Sequence, residues 1–305
     1  MVCNDSRLTG LGGSLAVVNL PNATSTPATY MTTNQVKSWN GVSAGVGADG
    51  YLGTDPSNSN TYQWDERNQL ENVNSPTYQF FYDAMGRRES FDEDGTTLSY
   101  LYDSLMAVQE TSSNNSNFPT YNYLTMPGGE VLTATTSSGT IVPLHDILGS
   151  TVGLVNGAGS LATSYSYTPY GIPSQSGTSS SYPYLFAGME YDSSTGLYHT
   201  LARYYSPTLQ RFLSEDPMQF GGGNVNLFGY AANDPVDYSD PSGLDIGVFA
   251  AFGYCAYGFA GDFGALGSAN DFANSGAGIG VLPSNSVGRA FGNVYLQYLL
   301  MPPLE

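Results

Sequence analysis

The chain has 305 residues, 26 of them acidic and 8 basic, for a formal net charge of −18. Charged residues make up only 11% of it, well under the roughly 25% of an ordinary soluble protein. One lysine, Lys37, and seven arginines give no basic footprint, which excludes nucleic-acid partners and argues against anionic membrane surfaces.

The low charge does not make the chain disordered. It carries 24 tyrosines and 14 phenylalanines, and disordered chains are short of aromatics. With 37 glycines and 17 prolines, the composition describes an all-β protein with many turns. The length allows one or two domains with a real core. Cys3 and Cys255 lie far apart and make no disulfide framework. The N-terminal MVCNDSRLTG has no basic stretch leading into an apolar run, so no Sec-type signal is read there.

Residues 1–59 are rich in Ser, Thr, Asn and Gly and read as an irregular segment that ends preceding repeats. Within them 45-GVGADG-50 formally fits GxGxxG. No strand pattern precedes it and no helix pattern follows, so it reads as a glycine-rich turn.

From residue 60 short aromatic runs end in an aromatic-Asp pair: 62-YQWD-65, 78-YQFFYD-83 and 100-YLYD-103. Their ends are 18 and 20 residues apart, a spacing that signals repeating units. Alternate positions are aromatic, as in Tyr78, Phe80 and Tyr82, which is the period of a strand packed on one face. An Asp at the end of each run can bond its own backbone and open a turn. Residues 60–170 are therefore expected to form a series of β-hairpins.

These units resemble the tyrosine-aspartate (YD) repeats of Rhs proteins, the C components of Tc toxins and the teneurins. Three further segments carry the resemblance: 146-DILGSTVGLVNGAGSLATSYSYTPYG-171, 186-FAGMEYDSSTGLYHTLARYYSPTLQRFLSEDP-217 and 222-GGNVNLFGYAANDPVDYSDPSGL-244. They are similar to the Rhs-associated core, and the whole resemblance covers roughly residues 60–244. It implies YD-repeat hairpins forming part of a curved spiral sheet, a shell that a core over residues 171–244 plugs at one end. A complete shell needs many more repeats, so the chain is expected to be the end of a longer protein or a reduced version.

The resemblance also implies a reaction. The family's core is an aspartyl self-protease that cuts after the leucine of DPxGL. Carried onto this sequence, the acidic pair falls on Asp216 in SEDP and Asp240 in SDPSGL, and the arginine of RYY on Arg203. The bond cut is Leu244–Asp245. Two close carboxylates sharing a proton supply a base for water and an acid for the leaving nitrogen, and an arginine can orient one of them. On the residues alone, DPSGL also reads as an Asx-type turn ending at Gly243, and Arg203 as a salt-bridge partner.

The chain departs from the family at Met218-Gln219-Phe220, at Leu201 and Ser206, and at His199. Asp234 and Asp237 add carboxylates nearby. The only histidines are His145 and His199, and no GxSxG, HExxH, CxxC or Walker loop occurs, so no cofactor or metal is expected.

Residues 245–305 form a variable segment with 16 uncharged, mostly apolar residues between Asp245 and Asp262. That is short of the ~20 a spanning helix needs. Three readings stay open for it: a cargo held in the shell, a membrane-active peptide, or an inactive tail. By resemblance the partners are this segment, a secretion apparatus or toxin complex, and an immunity protein, with the protein secreted or at the cell surface. The competing function is a non-enzymatic YD-repeat adhesion or assembly protein.

Overall fold

A computed structural model of the chain describes residues 28–244 except 94, 115–118, 127–128 and 223, together with the backbone of 247–248. Residues 1–27, Asp245, Ile246 and the C-terminal segment beyond Val248 lie outside the described residues.

The chain is built from β-strands. Residues 28–54 carry five short ones: β1 (Ala28–Tyr30), β2 (Val36–Trp39) and β3 (Val42–Ser43) in one small sheet, β4 (Gly45–Val46) and β5 (Leu52–Thr54) in another. The 45-GVGADG-50 stretch begins as β4, and its last four residues turn the chain toward β5, with Gly50 at φ +87°.

A twelve-stranded sheet follows, open and antiparallel, with strands in sequence order. Its members are β6 (Tyr62–Trp64), β7 (Leu70–Val73), β8 (Tyr78–Tyr82), β9 (Arg88–Glu93), β10 (Thr96–Asp103) and β11 (Met106–Ser112). Then come β12 (Tyr121–Thr125), β13 (Val131–Thr136), β14 (Gly139–His145), β15 (Thr151–Asn156), β16 (Leu161–Tyr167) and β17 (Pro173–Gly177).

Four of its turns share one design. Asp65 Oδ1 accepts the Arg67 and Gln69 N–H groups, both at 2.8 Å. Asp83 Oδ1 takes Met85 at 2.8 Å and Arg87 at 3.0 Å. Asp146 takes Leu148 and Ser150, and Asn156 takes Ala158 and Ser160. Three residues on, each turn has positive φ, at Asn68, Gly86, Gly149 and Gly159, a conformation that Gly and Asn reach at low cost. The third YD pair differs. Asp103 is still a strand residue paired with Met106, and the chain reverses over Ser104 and Leu105.

The aromatic alternation has its physical meaning in packing. Phe80 is buried while its neighbour Phe81 is 49% exposed. Phe80 stacks on Phe91 at 4.9 Å, an offset pair of the kind that stabilises beyond its buried area. On this face sits the core region, whose four-stranded sheet is β18 (Glu190–Asp192), β19 (Leu197–His199), β20 (Tyr204–Ser206) and β21 (Arg211–Phe212). Ring contacts join the two, among them Phe80–Tyr204 at 5.4 Å, Tyr123–Tyr184 at 5.2 Å and Tyr167–Phe186 at 5.7 Å. A last pair, β22 (Tyr238–Ser239) and β23 (Gly247–Val248), is antiparallel, with Ser239 opposite Gly247.

Candidate active site

Three turns of the core bring Arg203, Asp216 and Asp240 together. Arg203 stands on the turn between β19 and β20. There the Thr200 hydroxyl accepts the Arg203 N–H at 2.9 Å and lies 2.7 Å from its carbonyl. Asp216 follows β21 and opens an Asp-Pro turn, its Oδ1 accepting the Met218 N–H at 2.8 Å. Asp240 follows β22 and opens the DPSGL turn, where its Oδ1 accepts Gly243 N–H at 2.8 Å and Leu244 N–H at 3.2 Å.

One guanidinium connects all three turns. Arg203 Nη2 donates to Asp216 Oδ2 at 3.0 Å and to Asp240 Oδ2 at 3.3 Å. Its Nε donates to the Gly243 carbonyl, and its Nη1 to the Leu227 carbonyl at 3.0 Å. The guanidinium carbon lies 3.7 Å from the centre of the Phe212 ring, a stacked geometry that lysine cannot copy. All three side chains are buried: Arg203 is 4%, Asp216 8% and Asp240 2% exposed. The DPSGL turn closes against this group. Gly243 takes φ +70°, and a β-carbon there would sit 2.3 Å from the Thr200 hydroxyl oxygen.

Burial raises the Asp216 carboxyl above the usual carboxylate range, with Arg203 pulling the other way. Burial lowers Arg203, and Asp240 and Asp216 push it back. One of the two carboxyl groups is thus biased toward holding a proton beside a buried cation, the environment that acid–base carboxylates need.

The chain is held on both sides of Leu244–Asp245. Upstream, the Ala202 N–H donates to the Ser242 carbonyl at 3.0 Å. Downstream, β23 pairs with β22. Of the departures from the family, Met218 meets the three residues only through its backbone N–H on Asp216. Met218 and Phe220 are 56% and 71% exposed, and the Ser206 hydroxyl accepts the Leu209 N–H. Asp237 is exposed, and the Asp234 carbonyl accepts the Tyr238 N–H in a turn of its own.

Sequence reasoning missed a second buried charge group. Arg88 of β9 is 1% exposed and donates to Glu190 of β18 and, at 2.9 Å, to the Tyr100 hydroxyl. Its Nη1 lies 3.7 Å from Asp192. His199 Nδ1 is 3.4 Å from Glu190, and Glu110 accepts the Tyr123 hydroxyl at 3.0 Å. Arg88 and Tyr100 of the long sheet are thereby fastened to Glu190 and Asp192 of the core. The one local signal was the Arg87-Arg88 pair in a chain nearly free of cations. A solvent-open cavity of about 130 Å³ runs from Arg88 and Glu190 to Thr200, Ser239 and Pro241, close in sequence to Arg203 and Asp240.

The profile of the teneurin YD-shell family matches residues 12–236. The chain is 30% identical over 210 residues to the tRNA3(Ser)-specific nuclease WapA of Bacillus spizizenii, which covers 65% of this chain and 9% of that protein. It is 29% identical over 207 residues to the toxin subunit YenC1 of Yersinia entomophaga, covering 63% of this chain and 20% of the subunit. Among solved structures, the Tc holotoxin pore of Photorhabdus luminescens aligns over 72% of this chain and 12% of that one. The TM-score is 0.60 at 20% identity, a likeness of fold. The chain spans a fifth or less of the length of these relatives.

Proposed function

The chain belongs to the teneurin YD-shell family, and from that premise we propose that it is a toxin-related β-shell scaffold whose core cuts its own chain at Leu244–Asp245. Residues 60–170 are the YD-repeat part, 171–244 the core with the protease, and 245–305 the released cargo. The scaffold acts outside the producing cell, delivered by a secretion apparatus or toxin complex, with an immunity protein against the cargo.

The observation that carries this reading is the shared guanidinium. Arg203 touches both carboxylates and the carbonyl of the residue before Leu244. Asp240, tied to the turn by its backbone donors, holds the chain in place. Asp216, the carboxyl raised by burial, is the proton carrier. The ionised Asp240 takes a proton from water as the water oxygen adds to the Leu244 carbonyl carbon, while Asp216 hands the proton it already holds to the Asp245 nitrogen. As the C–N bond breaks, a Leu244 carboxyl group and a new amine part, and the two aspartates again share one proton, now on Asp240. The open cavity ends at Thr200, Ser239 and Pro241, beside this group, and offers the water its route. Because the scissile bond belongs to the same chain, no bimolecular entropy opposes the single turnover.

A second reading has an observation in its favour. The backbone donors on Asp240 Oδ1 are also what an intact Asx turn requires, as in a non-enzymatic adhesion or assembly protein. Intact mass and a denaturing gel of the purified chain separate the two. Self-cleavage gives a 61-residue fragment, residues 245–305, that disappears in Asp216→Asn and in Asp240→Asn. A chain that stays whole, or cutting that survives Asp240→Asn, leaves the structural turn as the answer.

A further inference from the structure

We propose that Ser242 is a positioning residue for the cut, acting through Asp240 and through the Leu244 peptide; this rests on the self-cleavage reading above. The resemblance assigns nothing to this position, which is the unspecified residue of DPxGL.

The Ser242 hydroxyl makes two bonds at once. It donates to Asp240 Oδ1 at 3.1 Å and accepts the Leu244 N–H at 3.1 Å. The Leu244 N–H is therefore forked, since it also points to Asp240 Oδ1 at 3.2 Å. The three groups close a small ring in which the hydroxyl proton is committed to the carboxylate and an oxygen lone pair faces the amide. The Ser242 carbonyl is fixed separately by Ala202 N–H at 3.0 Å. Both ends of residue 242 are thus pinned, one to the strand turn that carries Arg203 and the other to the acid and the amide of the residue to be cut.

Two consequences follow from the chemistry. The hydroxyl supplies Asp240 with a hydrogen bond that favours its ionised form, alongside those from Gly243 and Leu244. It also restrains the Gly243–Leu244 peptide, which leads directly into the residue with the reacting carbonyl, and a small misplacement of that carbonyl slows a positioned reaction strongly. Ser242 forms no covalent bond, so the atoms of the hydrolysis balance as before. Alanine at this position removes both bonds from the hydroxyl. It leaves the Gly243 and Leu244 N–H groups on Asp240, so the turn itself persists.

The full chain, pulse-labelled in cell-free translation and chased on a denaturing gel, gives the rate at which the 61-residue fragment appears. Ser242→Ala is expected to cut about 10- to 100-fold more slowly, the loss of one hydrogen bond to a charged group. Ser242→Thr, which keeps the hydroxyl, is expected to restore cutting to within a few-fold of wild type. The urea unfolding midpoint of the alanine variant is expected to match wild type. Three results overturn the role of Ser242 while leaving Asp216 and Asp240 as the acids: wild-type speed in Ser242→Ala, no recovery in Ser242→Thr, or a rate loss that only tracks a fallen midpoint. A wild-type chain that never cuts overturns the role together with the reading it rests on.

Discussion

The long sheet and the core use aspartate in the same local way and to different ends. In the sheet, Asp65, Asp83 and Asp146 each open a turn by accepting two backbone N–H groups, and none is buried. In the core, Asp216 and Asp240 also accept backbone N–H groups of their own turns. There the turns are folded inward onto one buried arginine. The difference teaches that the turn motif is a building device, and that burial and convergence are what give a carboxylate perturbed chemistry.

The widest separation between the two regions is expected at their arginines. Arg203→Met removes a cation that neutralises two buried carboxylates. Cutting should be lost and stability should fall by about 3–5 kcal/mol, the cost of leaving buried charge uncompensated. Arg87 of the sheet pairs with Asp83 at 2.6 Å, a shorter contact. That pair is partly exposed, and Arg87→Met should cost about 1 kcal/mol or less and leave cutting intact. Urea midpoints and the fragment gel measure both. Equal losses in the two variants would erase the distinction between turn and site.

The seam between the regions should respond to pH. Burial pushes Asp192 up to about 7, with Arg88 pulling down, whereas an unfolded Asp titrates near ~3.9. Between these values the folded chain holds a proton that the unfolded chain has released, so stability declines as pH rises. Burial, with Glu190 adding to it, raises Glu110 in the same direction. Burial pushes Glu190 up, but the Arg88 charge together with His199 and the Tyr100 hydroxyl brings it down to about 2, so its contribution is lost only as pH falls below about 4. Melting temperature should drop by roughly 5 °C from pH 5 to pH 8, and Asp192→Asn, a mimic of the protonated acid, should flatten that slope. A wild-type curve that rises over this range would reverse the assignment.

Much of this was legible along the chain. The period of the YD pairs, the alternate aromatics and the glycine-rich turn at 45–50 are local signals, and local physics produces them. Arg203, Asp216 and Asp240 could be named from their motifs, but their meeting at one nitrogen could not be read from spacing, because three separate turns supply it. The Arg88–Glu190 pair bridges 102 residues and carries no local periodicity at all. Thr200 and Phe212 likewise matter only once Arg203 is packed between them.

The smallest expected effect lies within the repeats and tests how far the YD motif is a single device. Asp65 accepts two turn N–H groups, so Asp65→Ala frees both donors and removes the constraint that fixes the reversal. A loss of about 1 kcal/mol is expected, the size of a comparable backbone cap. Asp103 has the same aromatic neighbour and the same place in the repeat. Its side chain is exposed, and the reversal is made by Ser104, whose φ is +56°. Asp103→Ala should therefore stay within about 0.5 kcal/mol of wild type, as surface substitutions without a specific role do. Urea midpoints for the two variants measure the contrast. If Asp103→Ala loses as much as Asp65→Ala, the aspartate stabilises the repeat by something other than its turn bonds, and the shared design belongs to the motif rather than to the turn.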